Sequence, residues 1–322
     1  MADESLNFQT SLAGMKKSDW LAAIEELCDE DGYFEQLGKR HYAAFIERSP
    51  ILLVTFETLQ GIPALSSLAQ PLGWEMMQQN GWSSLCIASN GDTWFRDRTV
   101  YGFFDRLIDD GFFDEFEQVI FYGAGPCGYA AAAFSVAAPG ARVLAVQPQA
   151  TLDPRMTEWD DRFKPMRRED FTSRYGYAPD MLDGATAAYV AYDPRQQLDA
   201  MHAALFTRPN THKLRLPHMG DAIQTDLLEM EQLGPLLLAI SEETLDDLGF
   251  ARMMRARRTH PPYLRNLLAA LDADGRETFA LALARNVTSR MNAPRFARRL
   301  TAAQTDATQS DSHSDDEPSS DT

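Results

Sequence analysis

The chemistry-bearing residues of this chain concentrate at one corner. In "VIFYGAGPCGYAAAAFS" (119–135) an apolar run meets Gly123, Gly125, Pro126, the thiol of Cys127 and Gly128, and then an Ala-rich helical pattern. Glycines at such a corner let the backbone approach a ligand closely. As a string, Gly123, Gly125 and Gly128 match G-x-G-x-x-G, which would cradle a dinucleotide. Two features oppose that reading. The motif follows the fourth apolar run, not the first, and "RVLAVQPQ" brings Gln147 and Gln149 where a ribose-binding Asp or Glu is needed. Nucleotide-dependent redox chemistry is therefore a remote alternative, and no cofactor is expected. Near the same edge, "SNGDTWFRD" (89–97) offers Arg96, whose guanidinium could hold a carboxylate or phosphate.

The elements that must position these groups are legible as short runs rich in β-branched and aliphatic residues: "YAAFIE" (42–47), "ILLVTFE" (51–57), "SLCIAS" (84–89), "QVIFYG" (118–123), "RVLAVQP" (142–148), "AAYVAYD" (187–193) and "KLRLPH" (213–218). Most are continuous, not alternating, which suits strands covered on both faces. Helical patterns at 99–112, 126–138 and 195–206 alternate with the later runs, so the fold class is α/β with a doubly wound, mostly parallel sheet. Only "RSP" separates the first two runs, which predicts that they form an antiparallel pair at one end of the sheet.

Four segments follow from this pattern. Residues 1–40 read as a helical lead-in, with an amphipathic helix over 18–30 that places Trp20, Leu21, Ile24 and Leu27 on one face. Residues 41–222 form the α/β core, within which 149–183 is dense in charge and aromatics and reads as a lid or an excursion over the strand C-terminal edge. Residues 223–300 read as helices. Residues 301–322 hold six acidic residues and no Lys, Arg or aromatic, so a disordered, solvated acidic tail is expected there.

The formal charge of −17 on 322 residues argues against nucleic acid or an anionic membrane as partner, since both reward Lys and Arg. Three cysteines are too few and too scattered for a disulfide framework, and no Cys/His spacing fits a zinc site. No stretch approaches 18 apolar residues and the N-terminal residues do not form a signal sequence, which points to the cytoplasm.

The order of runs over 42–222 resembles the α/β-hydrolase fold, with "ILLVTFE" as third strand, "SLCIAS" as fourth and "QVIFYG" leading into the nucleophile elbow. The resemblance implies a Gly-x-Ser-x-Gly elbow, an acid after the seventh strand and a His after the eighth. Asp193 in "YVAYDPRQ" falls where the acid is expected, and His218 in "LRLPHMGDA" where the His is.

The elbow departs from the motif. With Gly123 as the first glycine, Gly125 stands at the nucleophile position and has no nucleophilic atom. The next residue, whose N–H the family uses in its oxyanion hole, is Pro126, which has none. Both residues still suit a strand-to-helix corner. A frame shifted by two makes Cys127 the nucleophile, with a thiol pKa lowered by the helix N-terminus, and gives Gly128 as oxyanion donor. In that alternative Cys127, Asp193 and His218 would carry ester or thioester hydrolysis or acyl transfer, with Gln60 and Gly61 in the second oxyanion loop. The preferred reading is a divergent member with a degenerate elbow that binds a small molecule or a protein partner at the strand C-terminal edge.

Overall fold

The computed structural model describes residues 6–314, of which 306–314 are described by their backbone alone. Two compact units divide the chain at residues 254 and 255.

The first unit is built on one eight-stranded sheet: β1 (Gly32–Leu37), β2 (His41–Ile46), β3 (Ile51–Thr58), β4 (Ser83–Ser89), β5 (Gln118–Ala124), β6 (Arg142–Val146), β7 (Ala187–Tyr192) and β8 (Thr211–Arg215). Their spatial order is 1-2-4-3-5-6-7-8. β2 is antiparallel to both β1 and β4, and every other neighbouring pair is parallel, so β2 alone runs against the rest.

Two expectations are corrected here. β2 and β3 do not pair with each other: β4 inserts between them, so that β2 aligns His41 with Ser89 while β3 pairs in parallel with both β4 and β5. A parallel β3–β4 pair needs a crossover, which the helix Leu72–Asn80 supplies, and the short "RSP" link only reverses the chain between non-neighbours. Residues 1–40 are also more than a helical lead-in. After the helix Lys17–Cys28 they contribute β1, an edge strand whose half-exposed "GYFEQL" carries no continuous apolar run.

The continuous runs are explained by burial on both faces. Along β2 and β4, Ala43, Phe45, Leu85 and Ile87 join one core, while Ala44, Ile46, Cys86 and Ala88 join the other. The first core receives the helices Arg98–Asp109 and Pro126–Phe134 through Phe103, Phe104, Tyr129 and Phe134. The second receives the helices Lys17–Cys28 and Leu72–Asn80 through Trp20, Ile24, Trp74 and Met77. Alternate residues of each strand therefore meet apolar partners on opposite sides.

Residues 149–183 add no strand and follow an irregular path of short helical turns. The helices Ile223–Glu229, Leu233–Ser241 and Asp247–Met253 fall in the first unit, so the division lies after 254 and not at 222. Gln118 of β5 and Arg142 of β6 both hydrogen-bond the carbonyl of Ser241, which ties the second of these helices to the start of the parallel strands.

The second unit contains the helices Pro261–Ala273, Glu277–Thr288 and Pro294–Ser314, packed through Leu264, Leu268, Ala280, Ala284, Val287 and Phe296. The last helix runs to Ser314, into the segment expected to form the acidic tail. Residues 315–322 lie outside the described residues.

No described helix is long and apolar enough to cross a membrane.

Candidate functional site

β5 ends at Ala124, and the chain turns at Gly125 with φ +57° and ψ −126° before Pro126 opens the helix Pro126–Phe134. A side chain is disfavoured at that φ, and glycine removes the penalty. The Gly125 amide donates to Val146 O of β6 at 2.8 Å and its carbonyl accepts from Tyr129 N at 3.0 Å, so the corner is held at both ends. A Cβ on Gly125 would meet nothing within 4 Å. The corner thus presents an empty position at the strand C-terminal edge.

The flanking glycines serve packing. A Cβ on Gly123 would stand 2.2 Å from Cys127 O, and one on Gly128 would stand 3.0 Å from Val146 O and 3.1 Å from Gly123 O. These are backbone atoms that cannot yield. The first frame is therefore the one the backbone adopts, with the tip at Gly125.

Cys127 lies in the first turn of the helix, buried, and not at the tip. Burial pushes its thiol far above the ordinary value, and the carboxyls of Glu57 and Asp92 push the same way. The lowered pKa expected from the helix N-terminus does not arise, because a helix terminus contributes only about 0.3–1 kcal/mol while full burial of an ionised group costs several times that.

Asp193 is buried at the end of β7. Its Oδ1 accepts from Arg195 N at 2.9 Å and its Oδ2 from Gly220 N at 2.8 Å, so it braces the loop that carries His218. His218 sits in that loop at φ +68° and is half-buried. The fold therefore brings Asp193 to the His218 loop, where it holds Gly220, two residues after His218.

The other expected ligand groups are engaged elsewhere. Arg96 is 8% exposed: Nε donates to Asp170 O at 2.7 Å and Nη1 to Arg174 O at 2.9 Å, with the guanidinium over the rings of Tyr101 and Phe171. It pins the excursion and is not available to an anion. Gly61 N is committed to Thr58 O and Oγ1, both at 2.9 Å. Gln60 spans to Asn90 Oδ1 at 3.0 Å and accepts from Gly91 N at 3.1 Å. These are turn contacts that leave no oxyanion donor at Gly61.

Above the corner opens a cleft of about 280 Å³, lined by Ala124, Gly125, Pro126, Gln147, Gln149, Arg162, Phe163, Asp199, Asp221, Ala222, Gln224 and Thr225. One of its walls is a charged cluster that sequence reading missed. Arg162 donates through Nε and Nη2 to Asp160 and through Nη1 to Asp199 Oδ1 at 2.7 Å. Asp199 Oδ2 accepts from Gln147 Nε2 at 2.9 Å, and Gln147 Oε1 accepts from Ile223 N at 3.2 Å. Behind Arg162, Asp160 Oδ2 meets His202 Nε2 at 2.9 Å, and His202 Nδ1 accepts from Ala150 N at 3.1 Å. That acceptance fixes the Nε2–H tautomer. Hydrogen bonds from His202 and Arg162, with the guanidinium charge, outweigh desolvation and hold the Asp160 carboxyl well below its usual range.

The cluster had two faint signals in the sequence. Asp199 and His202 are spaced i,i+3 on one helix, and Asp160 and Arg162 lie in the charge-dense excursion. Nothing in the sequence joins the two.

A sheet ordered 1-2-4-3-5-6-7-8 with β2 alone reversed, and a sharp corner at φ +57° between β5 and its helix, defines an α/β-hydrolase-like fold. No sequence-family profile matches the chain, and no curated protein matches it in sequence. Among solved structures it is similar to Est1E from Butyrivibrio proteoclasticus, at 14% identity and a TM-score of 0.44, covering 65% of this chain and 98% of that one. It is also similar to an esterase from Pyrobaculum calidifontis, at 12% identity and a TM-score of 0.44 over 73% and 96% of the two chains. A third is MenH from S. aureus, at 12% identity and a TM-score of 0.36 over 63% and 99%.

Proposed function

We propose that this chain is a hydrolase-fold protein without Ser-dependent acyl-transfer activity, which binds a small polar molecule in the cleft above Gly125. The observation that carries the reading is the pair Gly125–Pro126: the corner keeps its geometry while the attacking atom and one oxyanion N–H are both missing. Losing a single oxyanion donor costs about a hundredfold to a thousandfold in turnover, and loss of the nucleophile removes the covalent route altogether. The cleft supports binding instead. It is concave, lies at the strand C-terminal edge where open α/β sheets receive ligands, and is lined by amides, carboxylates, the Arg162 guanidinium and one aromatic ring.

The competing hydrolase or acyltransferase reading rests on Cys127 with Asp193 and His218. It is disfavoured by the buried position and raised pKa of the thiol. The deciding assay is hydrolysis of p-nitrophenyl acetate and of a short-chain acyl thioester by the wild type, Cys127→Ala and Gly125→Ser. No turnover above buffer is expected for the wild type or for Cys127→Ala. Saturable wild-type turnover that disappears in Cys127→Ala sinks the binding reading and restores the enzyme.

A further inference from the structure

The net charge of the chain conceals a local reversal. Residues 255–300, in the second unit, hold ten arginines, no lysine and three carboxylates, a net +7 inside a chain of formal charge −17. Eight of the ten arginines are exposed, so this charge faces solvent.

One groove of this unit gathers cations that no carboxylate offsets. It holds about 450 Å³ between the helices Pro261–Ala273 and Glu277–Thr288, with Leu264, Leu267 and Leu283 as its floor and Arg258, Asn286 and Arg290 at one end. No acidic residue lines it. Arg258 is exposed and its guanidinium meets no carboxylate among the described residues. Arg290, also exposed, donates through Nε to Asn286 O at 3.2 Å and through Nη2 to Arg258 O at 3.1 Å. Those backbone acceptors orient the guanidinium and leave its charge unopposed. Arg257 adds a third cation, 5.0 Å from the centroid of the Tyr263 ring. Two of the three carboxylates of the segment, Asp272 and Glu277, are taken by Arg299 and lie outside the groove lining.

The floor continues as an apolar stripe. Phe279 precedes Leu283 by one turn on the same helix face and is 57% exposed, the most exposed large apolar side chain among the described residues. From Phe279 to Arg290 the stripe runs about 16 Å at helical rise. That is longer than a small metabolite and suits an extended partner.

From this juxtaposition we infer that the groove docks an acidic amphipathic helix of a partner protein. Its apolar side chains pack on Leu267, Leu283 and Phe279, and a carboxylate at one end meets Arg258 and Arg290. Charge complementarity selects this occupant. The chain's own residues 301–322 offer carboxylates, but their apolar side chains are three alanines and one proline, too small to fill a leucine floor. A second copy of this face offers arginines to arginines. Single-stranded nucleic acid would use the guanidinium groups but would find leucines where bases need aromatic platforms.

The test is fluorescence anisotropy and amide chemical-shift mapping of the full chain with three labelled peptides of about eighteen residues. The first carries Leu at i, i+3, i+4 and i+7 with Glu elsewhere, the second replaces every Glu by Lys, and the third scrambles the first so that the apolar period is lost. The expected result is saturable binding of the acidic helix at least about tenfold tighter than its scramble, weakened by salt. Its shifts should centre on residues 258–267 and 279–290. The lysine peptide, which the acidic chain attracts as a whole, should not shift those residues. The double variant Arg258→Glu with Arg290→Glu should lose the acidic helix and let the lysine peptide shift the groove, a gain that misfolding cannot produce. Phe279→Ser should weaken the acidic helix about tenfold.

Equal binding of the scramble, or binding that survives the double charge reversal, overturns the inference. So does the absence of shifts at 258–267 and 279–290 with the acidic helix. A thymidine oligonucleotide of matched charge that shifts the same residues at lower concentration than the acidic helix assigns the arginines to nucleic acid and overturns it as well.

Discussion

A Cβ placed on Gly123 would stand 2.2 Å from the carbonyl oxygen of Cys127, whereas one on Gly125, two residues along, would meet nothing. One glycine is required by packing and the other only by backbone conformation. Gly123→Ala must displace helix backbone and is expected to destabilise by more than about 3 kcal/mol or prevent folding. Gly125→Ala bears only the backbone strain of φ +57° and ψ −126° and should cost about 1–3 kcal/mol. Urea denaturation of both variants checks the order, and a milder effect at 123 than at 125 would show that the corner is not built as described.

The thiols should be inert in the native state. Cys28, Cys86 and Cys127 are all buried and free, and burial raises all three, Cys28 to about 12. At pH 8 a thiol of pKa 12 is ionised in only about one molecule in ten thousand. Ellman's reagent should therefore titrate less than one equivalent quickly in buffer and three in guanidinium. A fast thiol in the native protein, slowed by His218→Ala, would contradict the burial of Cys127 as a working description.

His41, on β2, is buried, shares a 2.8 Å hydrogen bond with Thr93 Oγ1, and lies 3.9 Å from Asp97. Burial lowers its pKa from 6.5 to about 4, against the smaller opposing pull of Asp97. Between those values the unfolded chain binds a proton that the folded chain refuses. Stability is then lost as pH falls from 6.5 towards 4, reaching a loss of about 2 kcal/mol by pH 5. Unfolding free energies at pH 7 and pH 5 should show this slope, and His41→Asn should flatten it. An unchanged slope in the variant assigns the effect to other groups.

Arg96 holds the excursion through two backbone carbonyls and two rings, so its removal should loosen that segment before it affects the sheet. Arg96→Ala is expected to cost about 2–4 kcal/mol, since buried acceptors are left unmade. Hydrogen exchange should accelerate at 170–177 with little change in β5 and β6. Arg96→Lys should recover only part of the protection, because a point charge cannot reach both carbonyls in the fork geometry. Uniform loss of protection across the sheet would mean that Arg96 supports the core, not the excursion.

Much of the sheet was legible in the sequence because its strands are covered on both faces, and a segment such as "ILLVTFE" needs no alternation when Leu53 and Val54 are both fully buried. The corner at Gly125 was legible too, since a tight turn is a local property of Gly and Pro. β1 was not, because an edge strand half open to solvent carries no continuous apolar signal.

Pairing belonged to the tertiary structure. β2 and β3 are neighbours in sequence, yet β4 lies between them, since partners are chosen by which faces can be buried together. The site divides along the same line. Residue types alone established that the strand-to-helix corner carries a glycine at 125 and that the residue after it, Pro126, lacks an N–H. Whether Cys127 ionises and whether Arg96 is free depend on desolvation and on contacts made across tens of residues, such as Asp160 with His202 and Arg162 with Asp199. Backbone conformation is encoded nearby in the chain, whereas the electrostatic state of a side chain is set by whatever the fold packs against it.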